Sequence, residues 1–295
     1  MISRRRFIAI SAAAGLASPA RATAAVRWSG IALGAEATLT LDGPEEIARP
    51  ALDAALTEIR KLESYFSLYD PDSVLSRLNR DGAIDAAPPE FLHLFKQIDR
   101  IHAQTGGLFD PTIQGPWAAL ARSDLRSEWG FVGWTHVQRL DAGGVRLFNG
   151  QQITLNGIAQ GYITDRVVEV LKNHGLTDAF VDIGEQSAIG APRRLALEDP
   201  AADRVGTVTL RNTAIATSSP MATPLAGRGH ILHPKGPNQP LRWSTVSVEA
   251  TSATLADGLS TALCLADLPR IRRIKGISGV RRILLVDPGG DVRTL

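Results

Sequence analysis

Thr154-Leu155-Asn156-Gly157-Ile158-Ala159-Gln160-Gly161-Tyr162, with Asp165 just beyond, leads from an extended run into an apolar stripe at Ile163, Val167, Val168 and Leu171. That stripe has helical spacing, and Gly175 ends it. Two glycines bracket the start of the helix, where free backbone amides and the helix dipole favour an anion such as a phosphate. The stretch lacks a Walker lysine-serine pair and the three-glycine dinucleotide fingerprint, which excludes the common phosphate loops. A tight strand-to-helix turn is the other use of the same residues.

Outward from this turn the elements do not alternate regularly. Upstream, Thr38-Leu39-Thr40-Leu41 alternates like a strand that Gly43-Pro44 closes. Leu52, Leu56, Ile59, Leu62 and Phe66 fall at helical spacing, with Pro50 expected in the first turn. Phe91, Leu94, Phe95, Ile98 and Ile101 form another stripe after Pro88-Pro89. Downstream, strand-like runs lie at Ala179–Ile183, Val205–Leu210, Thr245–Val248 and Ile283–Val286. Ser252 is placed to cap a helix reaching about Ala266. Strands and helices are interspersed without the βαβ rhythm of a doubly wound sheet, so the expected class is α+β, a mixed sheet with packed helices. The glycine- and proline-rich stretch from Gly227 to Pro240 reads as a loop, because strand signals resume directly after it.

The chain has 295 residues, 44% hydrophobic and 21% charged, enough for a full core and unlike a disordered or fibrous sequence. Its single cysteine, Cys264, forbids an internal disulfide, and with six histidines no Cys/His zinc cluster is available. Arg4-Arg5-Arg6-Phe7, the apolar run Ile8–Ala17 and Ala20-Arg21-Ala22 have the order of a twin-arginine secretory leader. The expected division is a signal peptide over 1–22 and one domain over 23–295, with a periplasmic destination. Without Arg4, Arg5, Arg6 and Arg21, basic residues fall from 32 to 28 against 30 acidic, a net of −2. A nucleic-acid binder would keep a basic excess.

Three further segments carry oxygen or aromatic groups suited to chemistry. Phe66-Ser67-Leu68-Tyr69-Asp70-Pro71-Asp72-Ser73 reads as a turn capped by Ser73, and Tyr69 on such a turn suits stacking on a planar ring. In Thr105-Gly106-Gly107-Leu108-Phe109-Asp110-Pro111-Thr112 the paired glycines either permit close approach to a ligand or end a helix. In Ala256-Asp257-Gly258-Leu259-Ser260-Thr261, Asp257 and Thr261 share a helix face with Ser260 beside them. Their hard oxygens suit Mg²⁺, and an exposed polar stripe is the alternative. His230, in His230-Ile231-Leu232, gains a proton-transfer role only beside a phosphate site.

Together the order and spacing of these segments resemble the FAD:protein FMN transferases of the ApbE family, from about Gly30 to Leu268. The resemblance implies an ApbE-like fold and an enzyme that splits FAD with Mg²⁺, attaches FMN to a threonine of a partner flavoprotein and releases AMP. Carried onto matching positions, it implies metal ligands at the Gly157 carbonyl, Asp257 and Thr261, with Ser260 close by. It implies FAD contacts at Leu33, Tyr69, Leu108, Phe109, Asp110, Thr154, Gln160 and Ile231, and places His230 near the phosphates. Asp257 and His230 are the expected catalytic pair. Thr154 and Gln160 stand where relatives usually carry Asp and Lys, and Gly184-Glu185 where they carry two glycines. These departures resemble a twin-arginine-exported branch that includes relatives linked to nitrous oxide reductase maturation, so the acceptor would be a membrane respiratory or such a maturation protein. An FAD pyrophosphatase and a non-catalytic flavin carrier are the competing readings.

Overall fold

The alternation at Thr38–Leu41 belongs to a hairpin in which every second side chain enters the core. In the computed structural model, which describes residues 25–124, 129–200, 203–225 and 227–295, β1 (Val26–Ala32) pairs in register with β2 (Ala35–Leu41). The leader expected over residues 1–22 lies outside the described residues. The two-residue turn places Leu33 at φ 49° and Gly34 at φ 75°, both left-handed. A non-glycine residue in that region is strained, and Leu33 N–H is held there by Glu63 Oε1 at 2.5 Å.

Helices α1 (Glu45–Phe66), α2 (Val74–Asp81), α3 (Pro89–Gln104) and α4 (Gln114–Ala121) follow. α1 starts at Glu45, so Pro50 sits in its second turn rather than its first. There the proline ring removes the N–H that would bond to the carbonyl four residues back. Glu45 and Glu46 in the first turn favour the early start by complementing the helix dipole. Three two-residue strands, β3 (Ala83–Ile84), β4 (Gln138–Arg139) and β5 (Val145–Arg146), form a small sheet beside α2.

α5 (Ala159–Asn173) then feeds β6 (Ala179–Asp182) and β7 (Gln186–Ile189), and a long hairpin of β8 (Arg193–Asp199) and β9 (Asp203–Leu210) comes next. β10 (Ala214–Ser218), β11 (Thr245–Ala250), α6 (Ala253–Leu263), α7 (Leu268–Lys275), β12 (Val280–Val286) and β13 (Val292–Thr294) complete the described elements. The main sheet has eight strands in the order β1-β2-β6-β7-β10-β11-β12-β13, and each pair is antiparallel. The α+β class therefore stands.

Period-two alternation divides the sheet between two cores. Val181, Ile189 and Ala216 face α1, α3, α5 and α6, whereas Phe180, Ala188 and Ile215 face Leu195, Leu197, Val208 and Leu210 of the β8–β9 hairpin. Arg193 fastens that hairpin by bridging Asp42 and Asp178, each at 2.6 Å. Among the described residues no helix is long and apolar enough to cross a membrane.

Candidate functional site

Gly161 lies where α5 and α6 touch. A Cβ built on it would stand 2.4 Å from the Ala253 carbonyl oxygen and 2.7 Å from Asp257 Cβ, so no larger residue fits between the helices. The close crossing lets Gly161 N–H donate to Asp257 Oδ2 at 3.0 Å. A second clasp runs the other way. Asp165 of α5 accepts from Ala253 N–H at 2.7 Å and Thr254 N–H at 2.9 Å, and from the hydroxyls of Ser252 and Thr254, each at 2.6 Å. Ser252 also caps α6 as its sequence suggests, accepting from Leu255 N–H. The anionic grip of Asp165 on α6 carries no local sequence signal, because it joins positions 88 residues apart.

One turn before Gly161, Gly157 brings the backbone against Thr261. A Cβ there would lie 3.0 Å from Thr261 Oγ1 and 3.4 Å from Phe109 Cε2. The Gly157 segment, Asp257 and Thr261 thus border one cavity of about 250 Å³. Its wall includes Leu33, Tyr69, Leu108, Phe109, Asp110, Thr154, Gln160, His230 and Ile231, so eleven of the sequence-nominated positions besides Gly157 meet here. Among its lining residues there is no lysine or arginine, whereas Asp110, Glu185, Glu198 and Asp257 bring carboxylates.

The nominated residues differ in how they present themselves. Asp257 is 3% exposed, and burial pushes its carboxyl up to about 7, opposed by the Gly161 N–H and reinforced by the charge of Asp165. Asp110 borders the cavity, yet its Oδ1 accepts from Thr112 N–H and hydroxyl and its Oδ2 from Trp134 N–H, which folds the 111–113 turn. Thr154 N–H bonds the Pro111 carbonyl at 2.9 Å, tying that turn to the start of the 154–161 bend. Phe109 is held from behind, where its carbonyl accepts from His102 Nδ1 at 2.9 Å. Tyr69, 67% exposed, forms the rim. The Pro220 carbonyl accepts from both His230 N–H (2.9 Å) and His230 Nδ1 (2.8 Å). Because a carbonyl only accepts, Nδ1 carries the ring hydrogen in the neutral imidazole.

Ser260 departs from expectation. It is fully buried and absent from the cavity wall; its hydroxyl donates to the Asp257 carbonyl (3.0 Å) and lies 2.7 Å from Ser218 Oγ. Three residues after Asp257 the helix has turned the side chain toward β10, whereas the four-residue step to Thr261 returns to the cavity face. Ser73 is a helix N-cap, accepting from Ser76 N–H at 3.0 Å.

Glu185 was visible in the sequence as a departure from a glycine pair, but nothing there placed its carboxylate. It stands in the β6–β7 turn on the cavity wall. Burial raises its pKa well above the usual carboxylate range, the charges of Asp257 and Asp182 add to this, and the Thr217 N–H opposes it. Gln160 is 9% exposed, and its Nε2 is buried without a hydrogen-bond partner. The acids and hydroxyl fit a hard divalent cation: Asp257, Thr261 and a backbone carbonyl offer oxygen atoms to one cavity, and no lysine or arginine on its wall competes for the buried acids.

The profile of the ApbE family matches residues 33–280. The FAD:protein FMN transferase of Rhodobacter capsulatus is 25% identical over 284 residues, covering 84% of this chain and 53% of that protein. The chain thus spans about half the length of that relative. The FAD:protein FMN transferase of Vibrio cholerae is 27% identical over 235 residues, 70% of each chain. The crystal structure of the ApbE protein from Thermotoga maritima superposes with a TM-score of 0.81 at 24% identity, over 92% of this chain and 96% of that one.

Proposed function

The chain belongs to the ApbE family, and from that premise we propose that it is a flavin transferase that cleaves FAD with Mg²⁺ and moves FMN onto a threonine of a partner protein. The observation that carries this reading is the convergence of the Gly157 bend, Asp257 and Thr261 on one cavity whose other wall is apolar and aromatic.

Leu33, Leu108, Phe109 and Ile231 offer surfaces for a planar ring, with Tyr69 at the rim. Thr154 and Gln160 flank the place for a diphosphate beside the start of α5. Asp257, Thr261 and the Gly157 carbonyl would hold the metal ion, and Ser260 supports Asp257 from behind. A bound Mg²⁺ would supply neutralisation of the charge that builds on the leaving phosphate. In the transfer, the acceptor hydroxyl oxygen forms a bond to the FMN phosphorus while the bond to the AMP oxygen breaks. His230 Nε2 takes the hydroxyl proton, its tautomer fixed by the Nδ1 bond to Pro220.

The leader read at 1–22 directs the chain outside the cytoplasm in this proposal, where a membrane respiratory or nitrous oxide reductase maturation protein would be the acceptor. The test is incubation of purified protein with FAD, Mg²⁺ and an acceptor domain bearing the threonine. Covalent fluorescent flavin on the acceptor with stoichiometric AMP is expected, and Asp257→Ala abolishes both. Free FMN without acceptor would make the protein a pyrophosphatase, and unchanged bound FAD a carrier.

A further inference from the structure

The β6–β7 turn holds Glu185 as firmly as the two helices hold Asp257. Gly184 adopts φ 86°, which favours glycine, and a Cβ there would lie 2.3 Å from Gln160 Nε2. The Glu185 carbonyl accepts from Ile183 N–H at 3.2 Å and from Thr164 Oγ1 at 3.3 Å, and its side chain accepts from Thr217 N–H. The turn is thereby pinned to α5 and β10. Glu185 and Asp257 line the same cavity, and both are buried. No lysine or arginine among the lining residues offsets the pair. Two buried carboxylates without a protein cation are costly, and a bound cation relieves both.

A second observation points to a ligand at the same place. Gln160 Nε2, buried and without a partner, packs against Gly184 on the cavity wall. A buried donor left unpaired forfeits the hydrogen bonds it would make in water. It calls for an acceptor oxygen, which the carboxylates beside it do not provide. A phosphate oxygen held by a cation meets that need.

We propose that Glu185 is a second carboxylate ligand of the cavity's divalent cation, presented from the sheet as Asp257 is from α6, and that Gln160 donates to the phosphate that shares this cation. The proposal rests on the reading of the cavity as a cation-diphosphate site. It adds a ligand that belongs to this chain's own turn.

Mn²⁺ alone serves as the probe, titrated into the full-length chain and followed by electron paramagnetic resonance. Glu185→Gln keeps the side chain's shape and its acceptor oxygen for Thr217 but removes the charge. It is expected to raise the Kd for Mn²⁺ about 10–100-fold. Glu185→Asp keeps the charge and is expected to stay within about tenfold of the parent. Parental Mn²⁺ affinity in Glu185→Gln, with binding lost in Asp257→Asn, would overturn the role of Glu185 and leave the cation site standing. Parental affinity in both variants would overturn the cation reading itself.

Discussion

Asp257 is buried, accepts one backbone N–H and lies beside other carboxylates, so its proton is held until about pH 7. The unfolded chain releases that proton near the ordinary value of 3.8. Between those values the folded state binds more protons than the unfolded state, so stability falls as pH rises. Melting in EDTA is therefore expected to show the Tm dropping from pH 4 to 7, with a shallower drop in Asp257→Asn; equal slopes would refute the assignment. On the proposed mechanism, His230→Gln would remove the proton acceptor while leaving Leu33, Leu108, Phe109 and Ile231 in place on the cavity wall. Transfer is expected to slow by about 10²–10⁴-fold with little change in KM for FAD. Much of this was legible at the residue scale: Asp257, Thr261 and Gly157 were nominated from spacing and resemblance. Ser260 was not separable from them by sequence, since its neighbours on β10 decide which way it points. Glu185 stands out in the sequence in place of a glycine, but the setting of its carboxylate does not, because that comes from α6, β10 and its own turn.

At the element scale the crossing of α5 and α6 fixes the site. Gly161→Ala would force a methyl group into the Ala253 carbonyl, at a cost of about 1–3 kcal/mol, and would part Asp257 from the 154–161 bend. Denaturant melts are expected to show that loss, and AMP release is expected to fall further than stability alone explains. Asp165 is off the cavity wall, and Asp165→Ala strips the start of α6 of its carboxylate, for roughly 2–3 kcal/mol. Urea midpoints of the two variants check the comparison. The helices were readable wherever an apolar stripe had clear ends, as with Ser252 for α6 and Gly175 for α5. Pro50 misled about α1, since a proline favours a helix start locally while the tertiary packing of Ala48 and Ala51 extends the helix before it. The hairpin β8–β9 was read only in its second strand. Arg193 and Arg194 open the first without the usual alternation, and its apolar face is defined by Phe180 and Ile215 rather than by neighbours in sequence.

Across the whole molecule the cavity gathers residues from Leu33 to Leu265, drawn from both ends of the main sheet's history in the chain. A ligand there binds only the folded state. FAD with Mg²⁺ at about a hundredfold excess over Kd should add about 2.7 kcal/mol, seen as a Tm rise of roughly 5–8 °C. Calorimetry with and without both components measures it, and Mg²⁺ without FAD should give a smaller shift. The α+β class was legible because the strands lacked βαβ spacing, but strand order was not, since antiparallel pairing between β2 and β6 spans a long excursion through five helices. Asp165 seizes the start of α6 while Asp257 seizes the first turn of α5, so neither rod can slip along the other without surrendering both grips. A dinucleotide bound in the cavity would then meet helices fixed on one side and an imidazole ring tied to the Pro220 carbonyl on the other.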